Sequence, residues 1–139
     1  MIVLDTNVLS ALMAPDLNRA VVIWLDQQPN TSIWTTAVNI FESRSGINLL
    51  PEGKRKRDLH TRLDTLAAKI FPDRILPFDR EAAERAAHVA GMRIRDGLNI
   101  GSRDTQIAGI SLARGATLAT RNIKDFEGLG ITLMNPWQV

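Results

Sequence analysis

Short apolar runs alternate along the chain with longer stretches in which apolar residues recur every three or four positions, and Gly, Pro, Asn or Asp punctuate the joins. Ile2-Val3-Leu4 is apolar throughout and partly β-branched, as a strand buried on both faces should be, and Asp5 ends it abruptly. Val8 to Met13 reads as the helix that follows. Pro15-Asp16-Leu17-Asn18 is a turn that caps a second helix from about Arg19 to Gln27, with Ala20, Ile23, Trp24 and Gln27 on one side. Ser32 to Thr36 is a second strand. The helix expected from about Ala37 to Leu50 turns Val38, Phe41, Ser45 and Leu49 toward the core, with Glu42 one step round from that stripe. After the break at Pro51-Glu52-Gly53, Leu59, Leu63, Leu66 and Ile70 recur at helical spacing. Arg74 to Pro77 gives a very short third strand, and Asp79 caps an alanine-rich helix from Arg80 to Arg95 that Gly97 stops. Residues 96–101 form a loop into a further helix, which starts around Ser102-Arg103-Asp104 and stops at Gly115. Ala116 to Thr120 is a fourth strand, Thr120 to Phe126 a turn with one helical turn, and Ile131 to Asn135 a last strand.

Strands that alternate with helices imply right-handed crossovers and a parallel sheet covered on both faces. At 139 residues the expectation is one α/β domain over 1–139, large enough for a real core, with no repeat or linker.

Composition narrows the chemistry. There is no cysteine, hence no disulfide, no thiolate nucleophile and no cysteine-ligated zinc, and the two histidines, His60 and His88, lack metal-ligand spacing. No apolar run approaches the roughly 18 residues of a membrane span, and the chain opens on a strand rather than on a secretory signal, so a cytoplasmic protein without membrane contact is expected. Net charge is +2, yet the pI is about 9.5. The run Lys54-Arg55-Lys56-Arg57 reads first as a solvated helix face and second as a phosphate contact. Trp24, Trp34 and Trp137 sit in apolar segments and read as core or interface anchors rather than platforms for bases.

Four acidic residues share an address in this frame. Asp5 ends the first strand, Glu42 lies early on the helix leaving the second, Asp104 opens the helix leading to the fourth, and Asp125 follows the fourth. All four can stand above the carboxyl edge of one sheet, where open α/β sheets bind ligands. Carboxylates crowded there raise one another's pKa, and hard oxygen donors suit Mg2+ or Mn2+, which can activate water for phosphodiester hydrolysis. Taken singly, each has a structural reading: Asp5 or Asp104 as a helix cap, Glu42 as a helix charge, Asp125 as a partner of Lys124 or Arg121.

Pieces spread over essentially the whole chain resemble the PIN-domain family, in particular its VapC and FitB-type toxins. They are Val3-Leu4-Asp5-Thr6-Asn7-Val8-Leu9-Ser10; Glu42 with Arg44, Gly46-Ile47 and Leu49-Leu50-Pro51-Glu52-Gly53; Ile75-Leu76-Pro77-Phe78-Asp79; Ile100-Gly101 with Asp104 and Gln106-Ile107-Ala108; Gly115 to Asn122 with Asp125-Phe126; and Asn135-Pro136-Trp137. The resemblance implies a three-layer α/β/α fold on a five-stranded parallel sheet of order 3-2-1-4-5. It also implies an Mg2+- or Mn2+-dependent endoribonuclease, a homodimer, and silencing by a cognate VapB/FitA-like antitoxin. Asp5, Glu42 and Asp104 fall on the family's acidic positions, and either Asp125 or Asn122 completes the set. Thr6, Asn7 and Thr120 are expected to orient the carboxylates. The chain departs from the family where a small residue usually precedes the third acid and Arg103 stands instead, and around Glu42, flanked here by Phe41, Ser43 and Ser45. Arg103 is read as pointing to solvent rather than to a substrate phosphate.

Two other classes compete. A haloacid-dehalogenase-like phosphatase would use Asp5 as nucleophile, but wants an Asp where Asn7 stands. A non-catalytic module binding RNA or protein would use the carboxylates only as caps.

Overall fold

A computed structural model describes residues 1–98 and 101–138; Asn99, Ile100 and Val139, including the Ile100 of the family pattern, lie outside the described residues. The strands are β1 (Ile2–Leu4), β2 (Ile33–Thr36), β3 (Ile75–Leu76), β4 (Thr117–Ala119) and β5 (Thr132–Met134). The helices are α1 (Thr6–Met13), α2 (Arg19–Asp26), α3 (Ala37–Asn48), α4 (Lys54–Lys69), α5 (Arg80–Arg95), α6 (Ser102–Arg114) and α7 (Ile123–Phe126). All strands run parallel in the order β3-β2-β1-β4-β5. This is the expected fold, and the elements start and stop close to where sequence puts them.

The apolar strands explain the layering. Neighbouring residues of a strand face opposite sides. Val3 and Leu118 join one core with Ala82, Val89, Ile107 and Ile110 from α5 and α6. Leu4 and Ala119 join another with Val8, Leu9, Val21 and Trp24 from α1 and α2. A smaller cluster of Met13, Ile47 and Leu63 ties α4 to α1 and α3.

Two helices bury faces other than those expected. In α2 the buried residues are Val21 and Trp24, while Ile23 is 47% exposed. In α3 they are Val38, Asn39, Ser43 and Ile47; Phe41 is 57% and Leu49 87% exposed, against the expectation of a core stripe. The physical reason is that α3 turns polar Asn39 toward β1 rather than burying its most apolar stripe.

The chain leaves β1 for β2 and β3 on one side of the sheet and returns to β4 and β5 on the other. Beyond the carboxyl ends of β1 and β4 this reversal opens the crevice in which such sheets bind ligands. Asp5 and Thr120 are the first residues beyond those two strands, and the Asp5 amide donates to the Ala119 carbonyl at 2.9 Å.

α5 and α6 pack closely because alanine and glycine face each other. A Cβ built on Gly109 would meet the Ala86 Cβ at 2.7 Å and the Ala86 nitrogen at 2.8 Å, and would also strike the Ala82 carbonyl oxygen. Backbone cannot yield as a flexible side chain can. Gly109→Ala is therefore expected to destabilise the protein by about 1–3 kcal/mol or more, read as a lower urea midpoint with an unchanged slope.

Candidate metal centre and nucleic-acid site

Asp5 is the most constrained acidic residue of the site, with 3% of its surface exposed. Its Oδ1 accepts from the Thr6 amide at 2.8 Å and from Asn39 Nδ2 at 3.0 Å. Its Oδ2 accepts from the Thr120 hydroxyl at 2.8 Å and, weakly, from Asn7 Nδ2 at 3.4 Å. The donors come from α1, α3 and the residue after β4, so the carboxylate stitches three parts of the fold together. Asp5 is thus the N-cap of α1 as well as a carboxylate at the sheet edge.

The donors are themselves held. Thr120 Oγ1 accepts from Asn7 Nδ2 at 3.2 Å and from the Asn122 amide at 3.0 Å. Asn7 Oδ1 accepts from the Arg121 amide at 3.1 Å. On the other side Asn39, fully buried, receives the Thr36 hydroxyl on its Oδ1 at 2.6 Å and donates to Thr6 Oγ1 at 3.0 Å. The Thr6 hydroxyl then donates to Glu42 Oε1 at 2.9 Å. A continuous run of hydrogen bonds therefore leads from Thr36 through Asn39 and Thr6 to Glu42, with a branch to Asp5.

Thr36 and Asn39 are the two residues that sequence reasoning missed. A signal existed: Thr36 is the N-cap of α3, and its hydroxyl accepts from the Asn39 amide at 3.1 Å, a pattern akin to the capping box. Asn39 also precedes Glu42 by three positions, so the two share a helix face.

The remaining acids look onto Asp5. Asp104 lies in the first turn of α6, whose N-cap is Gly101, so it is not the cap. Burial first, then the charges of Asp5, Asp125 and Glu42, push its carboxyl up to about 6. Burial also raises Asp5, more than its hydrogen bonds from Thr120, Thr6 and Asn39 lower it, and Asp125 adds to the rise. Asp125, exposed on α7, thus acts electrostatically on both. Asn122 contributes its backbone amide to Thr120, and its side chain makes no capping bond. None of the four ion pairs among the described residues involves Asp5, Asp104 or Asp125.

The site is rich in hard oxygen donors, the chemistry that Mg2+ or Mn2+ takes. Among the described residues no three acidic or imidazole side chains stand close enough to hold one ion between them. The set fits a cation that keeps water in its shell and takes one or two carboxylates directly, as Mg2+ does. Of the four bonds to Asp5, the one from Asn7 Nδ2 to Oδ2, at 3.4 Å, is the longest. Asp104 is only half-buried.

Arg103 does not simply point to solvent, as expected from sequence. Its guanidinium lies 5.1 Å from the Phe41 ring centroid and 3.9 Å from Glu42 Oε2. Beside the site runs a groove of about 800 Å3, with Thr6 and Glu42 at one end, Met13, Ile47 and Leu59 along it, and Lys54, Arg55 and Arg62 among its lining. The basic run is thus a mostly exposed helix face, with Lys54 and Arg55 also lining the groove. Trp24 is core, and Trp34 and Trp137 are partly buried against the two cores.

A PIN domain family model matches residues 2–130, and the chain belongs to the PIN domain family. It is 36% identical over 138 residues to the VapC ribonuclease Y4jK of Sinorhizobium fredii, covering 99% of both chains. Toxin FitB of Neisseria gonorrhoeae is 36% identical over 137 residues, again with 99% of each covered. The crystal structure of FitAcB from the same organism superposes with a TM-score of 0.90 at 36% identity, over 100% of both chains.

The raised Asp104 carboxyl has a consequence without any ligand. The folded protein takes up this proton near pH 6, whereas in the unfolded chain the group titrates near its ordinary value of 3.8. Folding is therefore favoured progressively as pH falls from about 6 toward 4, and the benefit is lost as pH rises through 6. In EDTA the melting temperature should rise by a few degrees from pH 7 to pH 5, and Asp104→Asn should flatten that slope, as thermal melts across pH will read.

Proposed function

We propose that this chain is a single-domain, divalent-metal-dependent endoribonuclease, the toxin of a toxin–antitoxin pair that works in the cytoplasm. The observation that carries the reading is the gathering of Asp5, Glu42, Asp104 and Asp125 at the switch point of a parallel sheet, where burial first and the charges of the other three second lift Asp104 to about 6. Kinship with a VapC ribonuclease and with toxin FitB supports the same activity.

In this reading Asp5 and Asp104 would hold Mg2+ or Mn2+, and Asp125 and Glu42 would bind it or its waters. When bound, such a cation would supply Lewis acidity and lower the pKa of a bound water, the chemistry that phosphodiester hydrolysis to a 5′-phosphate and a 3′-hydroxyl needs. Thr6, Asn7, Asn39 and Thr120 keep the Asp5 carboxylate in one orientation, so the protein need not order it during the reaction. Thr6 does the same for Glu42 through its hydroxyl. A phosphatase with Asp5 as nucleophile fits less well, because Asp5 is buried and four donors occupy its two oxygens.

Two surfaces suit the partners that kinship with VapC and FitB toxins implies. A VapB/FitA-like antitoxin segment would lie in the groove between α1, α3 and α4, where apolar side chains and a basic rim meet the open end at Glu42. A second copy of the chain would cover the apolar hollow formed by Phe78, Ala90, Ile94 and Leu98 around α5. No helix among the described residues is long and apolar enough to cross a membrane.

Purified protein incubated with total RNA should create discrete new 5′ ends with Mn2+ and none in EDTA. Asp5→Asn and Asp104→Asn should each lose about a hundredfold or more of that cleavage while keeping a wild-type circular dichroism spectrum. Full activity in either variant would sink the assignment.

A further inference from the structure

Phe41 and Arg103 meet at the mouth of the carboxylate site. Phe41 immediately precedes Glu42 on α3, and Arg103 immediately precedes Asp104 on α6. Each is a locally unfavourable choice. Phe41 leaves 57% of its surface in water. Arg103 puts a positive charge in the first turn of α6, where the helix dipole favours anions. Local rules broken beside a site point to function.

The fold gains little from the pair. The Arg103 guanidinium carbon lies 5.1 Å from the Phe41 ring centroid. Its approach to Glu42 Oε2, at 3.9 Å with half of the Arg103 side chain exposed, is too long for a hydrogen bond and too wet to stabilise much. Among the described residues the guanidinium makes no hydrogen bond at all. What the stack does is hold a weakly hydrated, planar fork of N–H donors at a defined place beside the carboxylates.

A polyanion that approaches four carboxylates is repelled unless fixed cations meet it. Single-stranded RNA is bound by just such a combination of basic groups on phosphates and aromatic rings against bases. We infer that Phe41 and Arg103 form a nucleotide-holding subsite beside the scissile linkage, Phe41 stacking a base and Arg103 taking the adjoining phosphate. The inference rests on the ribonuclease reading above. Arg103 leaves only a loose contact with Glu42 when it turns to phosphate, so the exchange breaks no hydrogen bond. The aromatic partner missing from the core stripe of α3 is then where the substrate needs it.

The test is steady-state cleavage, with Mn2+, of an RNA oligonucleotide carrying a site mapped from the new 5′ ends. Both residues are exposed, so variants should melt as wild type does. Arg103→Gln and Phe41→Ala should each raise KM about tenfold, with kcat within about threefold of wild type. Phe41→Trp, which keeps an aromatic face, should retain the wild-type KM. The slope of log KM against log salt should fall by about 0.7 in Arg103→Gln, the signature of one lost phosphate contact on a single strand, and not in Phe41→Ala. Unchanged KM and slope in both variants, with wild type active, would overturn the subsite and leave the ribonuclease reading intact. Faster cleavage by Arg103→Gln would also overturn it, making Arg103 an internal block on Glu42. A wild-type protein that cuts no RNA would remove the ribonuclease reading itself, and the subsite with it.

Discussion

The burial of one carboxylate governs this molecule. Asp5 sits at 3% exposure where the sheet reverses its strand order, and desolvating a charge there is costly unless donors or cations offset it. The protein answers with neutral donors alone: a backbone amide, a hydroxyl and two side-chain amides. These hold the carboxylate in place without cancelling its charge. Burial still outweighs them, since the net effect is to raise its pKa. The rest of the site adds further negative charge rather than relief. A site built this way is strained electrostatically and rigid geometrically, which is the state a divalent cation relieves.

That constraint also orders the fold. β1 must be apolar on both sides to lie at the centre of the sheet, and its two neighbours supply the donors: Thr120 beyond β4, and Thr36 at the end of β2, which sets Asn39. The crossover helices α3 and α6 begin at the same sheet edge, so their first turns carry Asn39 and Asp104 toward Asp5, and Glu42 follows Asn39 by three positions on the same face of α3. Close packing of α5 on α6 at Gly109 holds α6 at its distance.

Much of this was legible in the sequence. Apolar strands between helical periodicities gave the layers, and Asp5, Asp104 and Asp125 lie at the sheet edge because each follows a strand or opens a helix there, while Glu42 stands in the second turn of α3. Asn7 and Thr120 bond to Asp5, and Thr6 bonds to Glu42. What was illegible traces to one habit of reading, that apolar residues mark the buried face. In α3 the buried face is partly polar, with Asn39 and Ser43 inside, so the apolar stripe containing Phe41 and Leu49 misled. The same inversion hid Asn39 and placed Phe41 in the core instead of at the mouth of the site. The contact of Arg103 with Phe41 was illegible because the two lie 62 positions apart in sequence and meet only once the chain is folded.

The central claim is that the Asp5-centred carboxylates form a divalent-cation site whose repulsion the ion relieves. The most direct measurement is the melting temperature at pH 7.5 with and without millimolar Mn2+, for wild type and for Asp5→Asn. Binding to the folded state alone raises stability by about 2.7 kcal/mol at a hundredfold excess over the dissociation constant, so wild type should melt several degrees higher with Mn2+ and Asp5→Asn should not respond. A wild-type protein indifferent to Mn2+, or an Asp5→Asn variant stabilised as strongly as wild type, would contradict it.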